Sequence, residues 1–123
     1  MKILVTDDSK MARKMVIKIL NDVLNENVEV FEGQNGQEAF DLYKEHLPEI
    51  VFLDLTMPVM NGFEALSKIK EFDKNAKVVI ISADIQKLSM DKALQLGAFN
   101  FIKKPIDLEK MQQILGTINE LDK

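Results

Sequence analysis

The sequence of 123 residues contains no cysteine and only one histidine, His46. The missing cysteines exclude disulfide bonds, thiolate metal sites and thiol catalysis. His46 precedes Leu47-Pro48 at a predicted helix end, where we expect it to face solvent and to bind no metal. Any chemistry in this chain must therefore rest on carboxylates, hydroxyls and amines.

Long apolar runs and an excess of basic charge are also missing. Only three consecutive apolar residues, Ile3 to Val5, follow Lys2 at the N-terminus, which is too short for a signal peptide or a bilayer span. The net charge is −4, whereas a nucleic-acid-binding domain usually carries a basic surface. We therefore expect a cytoplasmic protein without nucleic-acid binding or membrane insertion. No linker or repeat interrupts the chain, which predicts one domain over residues 1–123.

Apolar residues at strand spacing alternate with apolar residues at helical spacing along the whole chain. Residues 50–53 and 78–81 are continuous apolar runs, typical of strands covered on both faces. Five such strands alternate with five helices, which predicts an α/β fold with a parallel sheet and helices on both faces. The second and fifth strands are the least apolar, so we place them at the edges. The predicted order is 2-1-3-4-5, that of the flavodoxin-like doubly wound fold.

The first predicted helix shows its apolar face most clearly. The residues that recur at helical spacing, and that we expect to face the core, are Met11, Ala12, Met15, Val16, Ile19, Leu20 and Val23. Asp8 or Ser9 is suited to cap this helix at its N-terminus.

Polar residues follow four of the five predicted strands. Asp7 and Asp8 follow the first, Asp54 the third, Ser82 the fourth and Lys104 the fifth. Because the carboxyl ends of parallel strands share one edge of the sheet, we expect these side chains to converge there.

Three carboxylates at one edge would repel one another. At about 5 Å and an effective dielectric constant near 20, each pair costs on the order of 3 kcal/mol. A divalent cation would offset this repulsion, and oxygen ligands favour Mg²⁺, with Mn²⁺ or Ca²⁺ less specifically indicated. Asp54 could then accept a phosphoryl group as a nucleophile, with Lys104 and Ser82 contacting the phosphoryl oxygens.

The ordered set of motifs resembles the receiver domain of response regulators over essentially the whole chain. The residues that carry the resemblance are Asp7-Asp8, Asp54-Leu55-Thr56-Met57-Pro58 with Gly62, Ser82-Ala83 and Lys104-Pro105. The resemblance implies that Asp54 is phosphorylated by a histidine kinase or phosphotransfer protein in a two-component system. It implies Mg²⁺ held by Asp8, Asp54 and the Thr56 backbone carbonyl, with Asp7 assisting through water. It also implies a cis Lys104–Pro105 bond.

Further roles follow only from this resemblance. Ser82 and Phe101 would be switch residues, although Phe101 as a plain core residue stays an open alternative. Thr56 and Asp84 would tune the lifetime of the phosphorylated state, for which a phosphatase is a further candidate partner. A downstream target protein would bind the face formed by helix 4, strand 5 and helix 5. A stand-alone receiver suits chemotaxis-like control or a phosphorelay.

The loop after Asp54 and two other classes of function complete the interpretation. Met57 and Met60 in that loop are candidates for an exposed contact surface. A metal-dependent phosphohydrolase with an acidic cluster is the main alternative, but aspartyl phosphatases usually carry a second aspartate where Thr56 stands. We therefore expect catalysis only of the protein's own phosphorylation and dephosphorylation. A flavin or nucleotide binder would need a glycine-rich or hydroxyl-rich first loop, and this one is doubly acidic.

Overall fold

The structure is a computed structural model that describes residues 1–24, 28–83 and 86–121. Within these ranges five strands alternate with five helices. The strands are β1 (Lys2–Thr6), β2 (Glu29–Gly33), β3 (Ile50–Leu53), β4 (Val78–Ser82) and β5 (Asn100–Lys103). The helices are α1 (Lys10–Val23), α2 (Gly36–His46), α3 (Gly62–Phe72), α4 (Lys87–Gln95) and α5 (Leu108–Leu121). None of these helices is long and apolar enough to cross a lipid bilayer.

The five strands form one parallel sheet in the order β2-β1-β3-β4-β5. Every residue of β3 and β4 is buried, whereas the edge strands β2 and β5 are partly exposed. This confirms the predicted order and its reason, because only the interior strands need apolar side chains on both faces.

Side chains alternate between the two faces of the sheet and build two cores. On one face, Ile3 and Val5 of β1 pack in a core with residues of α1 and α5. This core includes Val16 of α1 and Met111 of α5. Leu4 points to the opposite face, where residues from α2, α3 and α4 cover the sheet. The helices thus cover both faces and leave the strand ends open at the edges, which is where a site can form.

Helix α1 differs from the prediction in which residues it buries. Met11 is 73% exposed and Met15 is 47% exposed, so the expectation that both face the core was wrong. Arg13 is buried instead, in line with Val16 and Leu20. These three residues follow one another at spacings of three and four, which place them on one helical face. The apolar stripe read from the sequence was therefore too wide on one side and omitted the cation at its start.

The N-terminus of α1 is capped by Ser9, whose Oγ accepts a hydrogen bond of 3.2 Å from the backbone N–H of Ala12. Of the two predicted candidates, Ser9 therefore takes the cap position. Asp8 precedes the cap and is exposed, so its carboxylate is available for another role.

The sequence had suggested that His46, at the end of α2, faces solvent, but its ring is partly covered. Its ring stacks on Phe31 of β2, with ring centroids 3.8 Å apart and an interplanar angle of 14°. The helix ends one residue before Leu47, which adopts a left-handed conformation with φ 48°. The histidine therefore packs as an aromatic ring against the edge strand.

Candidate active site

Asp7 and Asp54 directly follow β1 and β3, which are neighbouring interior strands of the sheet. Thr6 of β1 lies beside Leu53 of β3 in the parallel register, and the N–H of Asp54 donates to the carbonyl of Thr6 at 3.0 Å. Asp7 and Asp54 are both buried, and Asp8 is exposed. Carboxylate oxygens of these three aspartates lie within 4.8 Å of one another. The predicted convergence of the three aspartates at this edge is confirmed.

Lys104 adds a cation to this cluster from the end of β5. Its backbone N–H donates to the carbonyl of Ser82 at 2.8 Å, which fixes where the lysine leaves the sheet. Its Nζ lies 2.7 Å from Asp7 Oδ2 and 3.4 Å from Asp54 Oδ1. The Lys104–Pro105 peptide is cis, as predicted. One ammonium group therefore serves two buried carboxylates.

Asp7 is held at each of its polar atoms. Its backbone N–H donates to the carbonyl of Gly33 at 3.1 Å, and its carbonyl accepts from Nη1 of Arg13 at 2.7 Å. Its carboxylate accepts from the N–H of Ser9 at 2.9 Å through Oδ1 and from Lys104 through Oδ2. The orientation of Asp7 is therefore determined by strands β1, β2 and β5 and by helix α1.

The loop between Asp54 and α3 folds back tightly at Gly62. A Cβ atom on Gly62 would lie 2.2 Å from the carbonyl oxygen of Asp54 and 2.6 Å from Cα of Leu55. The N–H of Gly62 donates to the carbonyl of Leu55 at 2.8 Å. Only glycine fits so close to another backbone, and this contact keeps the chain after Asp54 in place.

The same loop contains two methionines that were expected to be exposed, and that expectation was wrong. Met57 and Met60 are buried in the core beneath α2 and α3. The carbonyl of Met60 accepts from the N–H of Gly36 at 2.9 Å, which ties the loop to the start of α2. The apolar side chain of Val59 is exposed instead, at 83%, and this residue has a φ of 67°.

The charges at this edge are unequally matched. Burial raises the pKa of the Asp54 carboxyl to about 6, and the nearby charge of Asp7 adds to the rise, while Lys104 opposes it. Burial alone would lower the pKa of Lys104, but its hydrogen bond with Asp7 and the charge of Asp54 outweigh burial and raise that pKa. Two buried acids thus share one ammonium, and a further cation would be stabilised here.

Comparison with known proteins identifies the kind of domain to which this site belongs. Residues 3–116 match the family described as the response regulator receiver domain. The chain belongs to this family. It is 39% identical over 119 residues to the chemotaxis protein CheY of Bacillus subtilis, covering 96% of this chain and 98% of that protein. It is also 42% identical over 120 residues to CheY of Treponema pallidum, covering 95% and 81%.

A solved structure gives the same result for the fold of this receiver domain. The crystal structure of the CheX-CheY-BeF3-Mg+2 complex from Borrelia burgdorferi contains a chain with a TM-score of 0.88 and 38% identity, with coverage of 96% of this chain and 88% of that one. The protein is therefore a CheY-like receiver domain of a two-component system. These similarities give no support to the alternative of a metal-dependent phosphohydrolase.

The remaining predicted site residues of the receiver occupy several environments. Ser82 is buried at the end of β4, and Phe101 is half-buried on β5, where it packs against the core under α3 and α4. Thr56 is exposed in the loop after β3. Asp84 lies outside the described residues. Their switch and lifetime roles remain predictions.

A cavity of about 90 Å³ adjoins the acidic cluster and was not predicted from the sequence. It lies between α1 and the segment after β5, and its walls are mostly apolar, with contributions from Ala12, Met15 and Ile106. Asp54 and Lys104 form its polar end. Met15, which is 47% exposed, therefore lines this cavity and does not fill the core.

Proposed function

We propose that Asp54 is the phosphoryl acceptor of this receiver and that its donor is a phosphohistidine on a histidine kinase or phosphotransfer protein. The observation that carries the proposal is the buried Asp54 carboxylate, within 4.8 Å of the carboxylates of Asp7 and Asp8 and 3.4 Å from the ammonium of Lys104. Phosphoryl transfer requires mainly positioning and charge neutralisation, and this cluster offers both.

The donor set fits Mg²⁺. Three carboxylates supply hard oxygen ligands, and the exposed position of Asp8 leaves room for the waters that Mg²⁺ retains. We propose that Asp8, Asp54 and the backbone carbonyl of Thr56 hold the ion, with Asp7 assisting through water. The presence of Mg+2 in the Borrelia burgdorferi complex, which contains a similar chain, supports this assignment. When bound, the ion neutralises negative charge on the phosphoryl and carboxylate oxygens.

Asp54, Lys104, Asp7 and Ser82 each have a separate role in the phosphoryl transfer. A carboxylate oxygen of Asp54 attacks phosphorus, the bond between phosphorus and the donor imidazole nitrogen breaks, and the electron pair returns to that nitrogen. Lys104 contacts the phosphoryl oxygens with its ammonium group, and Asp7 keeps that ammonium in place. Ser82 donates a hydrogen bond from its hydroxyl. Hydrolysis of the aspartyl phosphate removes the phosphoryl group again. In this proposal the protein catalyses only its own phosphorylation and dephosphorylation.

The output of the modification is protein binding. We propose that Ser82 and Phe101 transmit the change to the face formed by α4, β5 and α5, where a downstream target binds. We further propose, by resemblance to the family, that Thr56 and Asp84 tune the lifetime of the phosphorylated state, alone or with a phosphatase. Six polar positions on this face are all exposed, which supports a polar docking surface: Gln86, Lys87, Asp91, Lys92, Lys103 and Gln112. Residues 1–123 act as a single cytoplasmic receiver domain.

The test is incubation with Mg²⁺ and acetyl phosphate, followed by intact mass measurement. We expect the wild-type protein to gain one phosphoryl group, and we expect no gain for Asp54→Asn or after EDTA. Asp73→Asn, which changes an aspartate at the end of α3, is the matched control and should be modified like the wild type. An unmodified wild-type protein under several small phosphodonors, or a modified Asp54→Asn, would contradict the proposal.

A further inference from the structure

Arg13 is the one cationic side chain that is buried among the described residues, with 7% exposure. Burying a guanidinium is costly unless its donors are paired. Two of them are paired here: Nη1 donates to the carbonyl of Asp7 at 2.7 Å, and Nε donates to Oε1 of Glu32 at 3.0 Å. These two hydrogen bonds connect Arg13 to the acidic cluster and to strand β2, which packing alone does not explain.

The carbonyl that Arg13 holds belongs to the peptide joining Asp7 to Asp8. The orientation of that peptide sets ψ of Asp7 and φ of Asp8, and therefore the direction in which the Asp8 side chain leaves the backbone. Asp7 is already fixed through Gly33 and Lys104, whereas Asp8 is exposed. The hydrogen bond from Arg13 thus acts directly on the peptide from which the Asp8 side chain departs, and it influences the direction of the Cα–Cβ bond of Asp8.

Glu32 completes this arrangement from strand β2. Its carboxylate balances the charge of the guanidinium and fixes the plane of the group, while its side chain stays 45% exposed. A planar guanidinium can donate to both partners at once, because its N–H groups diverge in a fixed geometry. A lysine at the same place would keep the charge but could not reproduce both bonds with this geometry.

We propose that Arg13, held by Glu32, is a positioning residue that orients the Asp7–Asp8 peptide for binding of the divalent cation. The inference rests on the proposed function, in which this pair contributes to the Mg²⁺ site. Groups that orient metal ligands from outside the coordination sphere typically change metal affinity by roughly 10- to 100-fold when they are removed. Arg13 fits that description because it contacts the backbone that joins Asp7 to the proposed ligand Asp8.

The experiment is calorimetric titration of the full chain with Mg²⁺, without a phosphodonor, for the wild type, Arg13→Lys, Arg13→Met and Glu32→Gln. We expect the Mg²⁺ dissociation constant to rise roughly tenfold or more in both Arg13 variants and by a smaller factor in Glu32→Gln. Lys14→Met removes a cation from the neighbouring exposed position of α1 and should bind Mg²⁺ like the wild type.

A second readout separates positioning from a purely structural role. Phosphorylation by acetyl phosphate should slow in Arg13→Lys at low Mg²⁺ and recover at saturating Mg²⁺, because the ligands are intact and only misoriented. If folded Arg13→Lys and Glu32→Gln melt at lower temperature but bind Mg²⁺ like the wild type, Arg13 is structural only and the proposal is overturned. These two variants decide the question if Arg13→Met does not fold.

The phosphoryl-acceptor role of Asp54 and the positioning role of Arg13 fail in different ways. A wild-type protein that binds no Mg²⁺ and accepts no phosphoryl group contradicts both roles. A wild-type protein that binds Mg²⁺ and is phosphorylated, beside Arg13 variants with an unchanged dissociation constant, contradicts the role of Arg13 alone.

Discussion

Two aspartates of this receiver, Asp54 at the carboxyl edge of the sheet and Asp73 at the end of α3, have pKa values shifted in opposite directions. Burial and then the charge of Asp7 raise the pKa of Asp54 to about 6. The hydrogen bond from the hydroxyl of Tyr43, at 2.7 Å, and then that from the N–H of Asn75 lower the pKa of Asp73. The ionised carboxylate therefore destabilises the folded state at Asp54 and stabilises it at Asp73.

The difference lies in how the negative charge is matched. Asp73 has two donors of its own, whereas Asp54 shares Lys104 with Asp7, and the ammonium lies closer to Asp7. A structural carboxylate is paired when the chain folds. A carboxylate whose charge is left partly unmatched keeps its affinity for an incoming cation, at a cost to stability.

The largest effect should come from supplying that cation. At a free Mg²⁺ concentration about 100 times the dissociation constant, the free energy of unfolding should rise by about 2.7 kcal/mol. Asp54→Asn should lose most of this gain, because a ligand and a negative charge are gone, whereas Asp73→Asn should keep it. Urea denaturation with Mg²⁺ and with EDTA measures the difference. Equal gains in wild type and Asp54→Asn would break the contrast between the two aspartates.

Without metal, Asp54→Asn is expected to be more stable than the wild type, by a smaller free energy than the gain from Mg²⁺. The folded state binds the proton of Asp54 more tightly than the unfolded chain, whose carboxyl has a pKa near 3.8. Stability should therefore be lost as pH rises from about 4 to about 6. Two pKa units correspond to about 2.7 kcal/mol, and because water reaches this edge we expect about 1 kcal/mol of stabilisation in Asp54→Asn at pH 7.

Urea denaturation in EDTA between pH 4 and pH 7 checks this sign. The wild type should lose stability relative to Asp54→Asn over this range, and the difference should be constant above it. If the free energy of unfolding of the wild type instead increased relative to that of Asp54→Asn as pH rises, the charge of Asp54 would be fully compensated by Lys104.

An effect similar in size to the second one is expected at the structural aspartate, Asp73. Tyr43→Phe removes the hydroxyl that donates to Asp73 and should lower the free energy of unfolding by about 1 kcal/mol at pH 7. Because the pKa of Asp73 is lowered, its contribution is complete above the unfolded value of 3.8 and is lost as pH falls through the folded value. The deficit of Tyr43→Phe, measured by urea denaturation, should therefore shrink in acid. A deficit that grows in acid would refute this assignment.

Much of the fold and the site could be predicted from the sequence, because both depend on where strands end. The apolar runs of β3 and β4 identify the interior of the sheet, and parallel strands bring Asp7, Asp54 and Lys104 to one edge. No side-chain contact needs to be known for that conclusion. Topology places the groups at the same edge, and the long side chain of Lys104 spans the remaining distance to Asp7 and Asp54.

What the sequence did not show depends on contacts between distant segments. Arg13 lies on the buried face of α1, three residues before Val16. The spacing was visible in the sequence, but a pattern of apolar residues does not include a charged one. The loop that carries Met60 lies close against Gly36 at the start of α2, a contact between segments that are distant in the sequence. The stacking of His46 on Phe31 likewise joins two elements whose packing a local pattern does not specify.

The contrast between Asp7 and Asp8 has an entropic consequence. Every polar atom of Asp7 has a partner in the folded chain, so this side chain has already lost its rotational freedom before an ion arrives. Asp8 is exposed and still has that freedom to lose. Ordering is thus divided between folding and binding, and a preorganised ligand makes binding less costly. On binding of an ion, Asp8 would lose side-chain rotation, whereas Asp7 would keep the orientation that folding gives it.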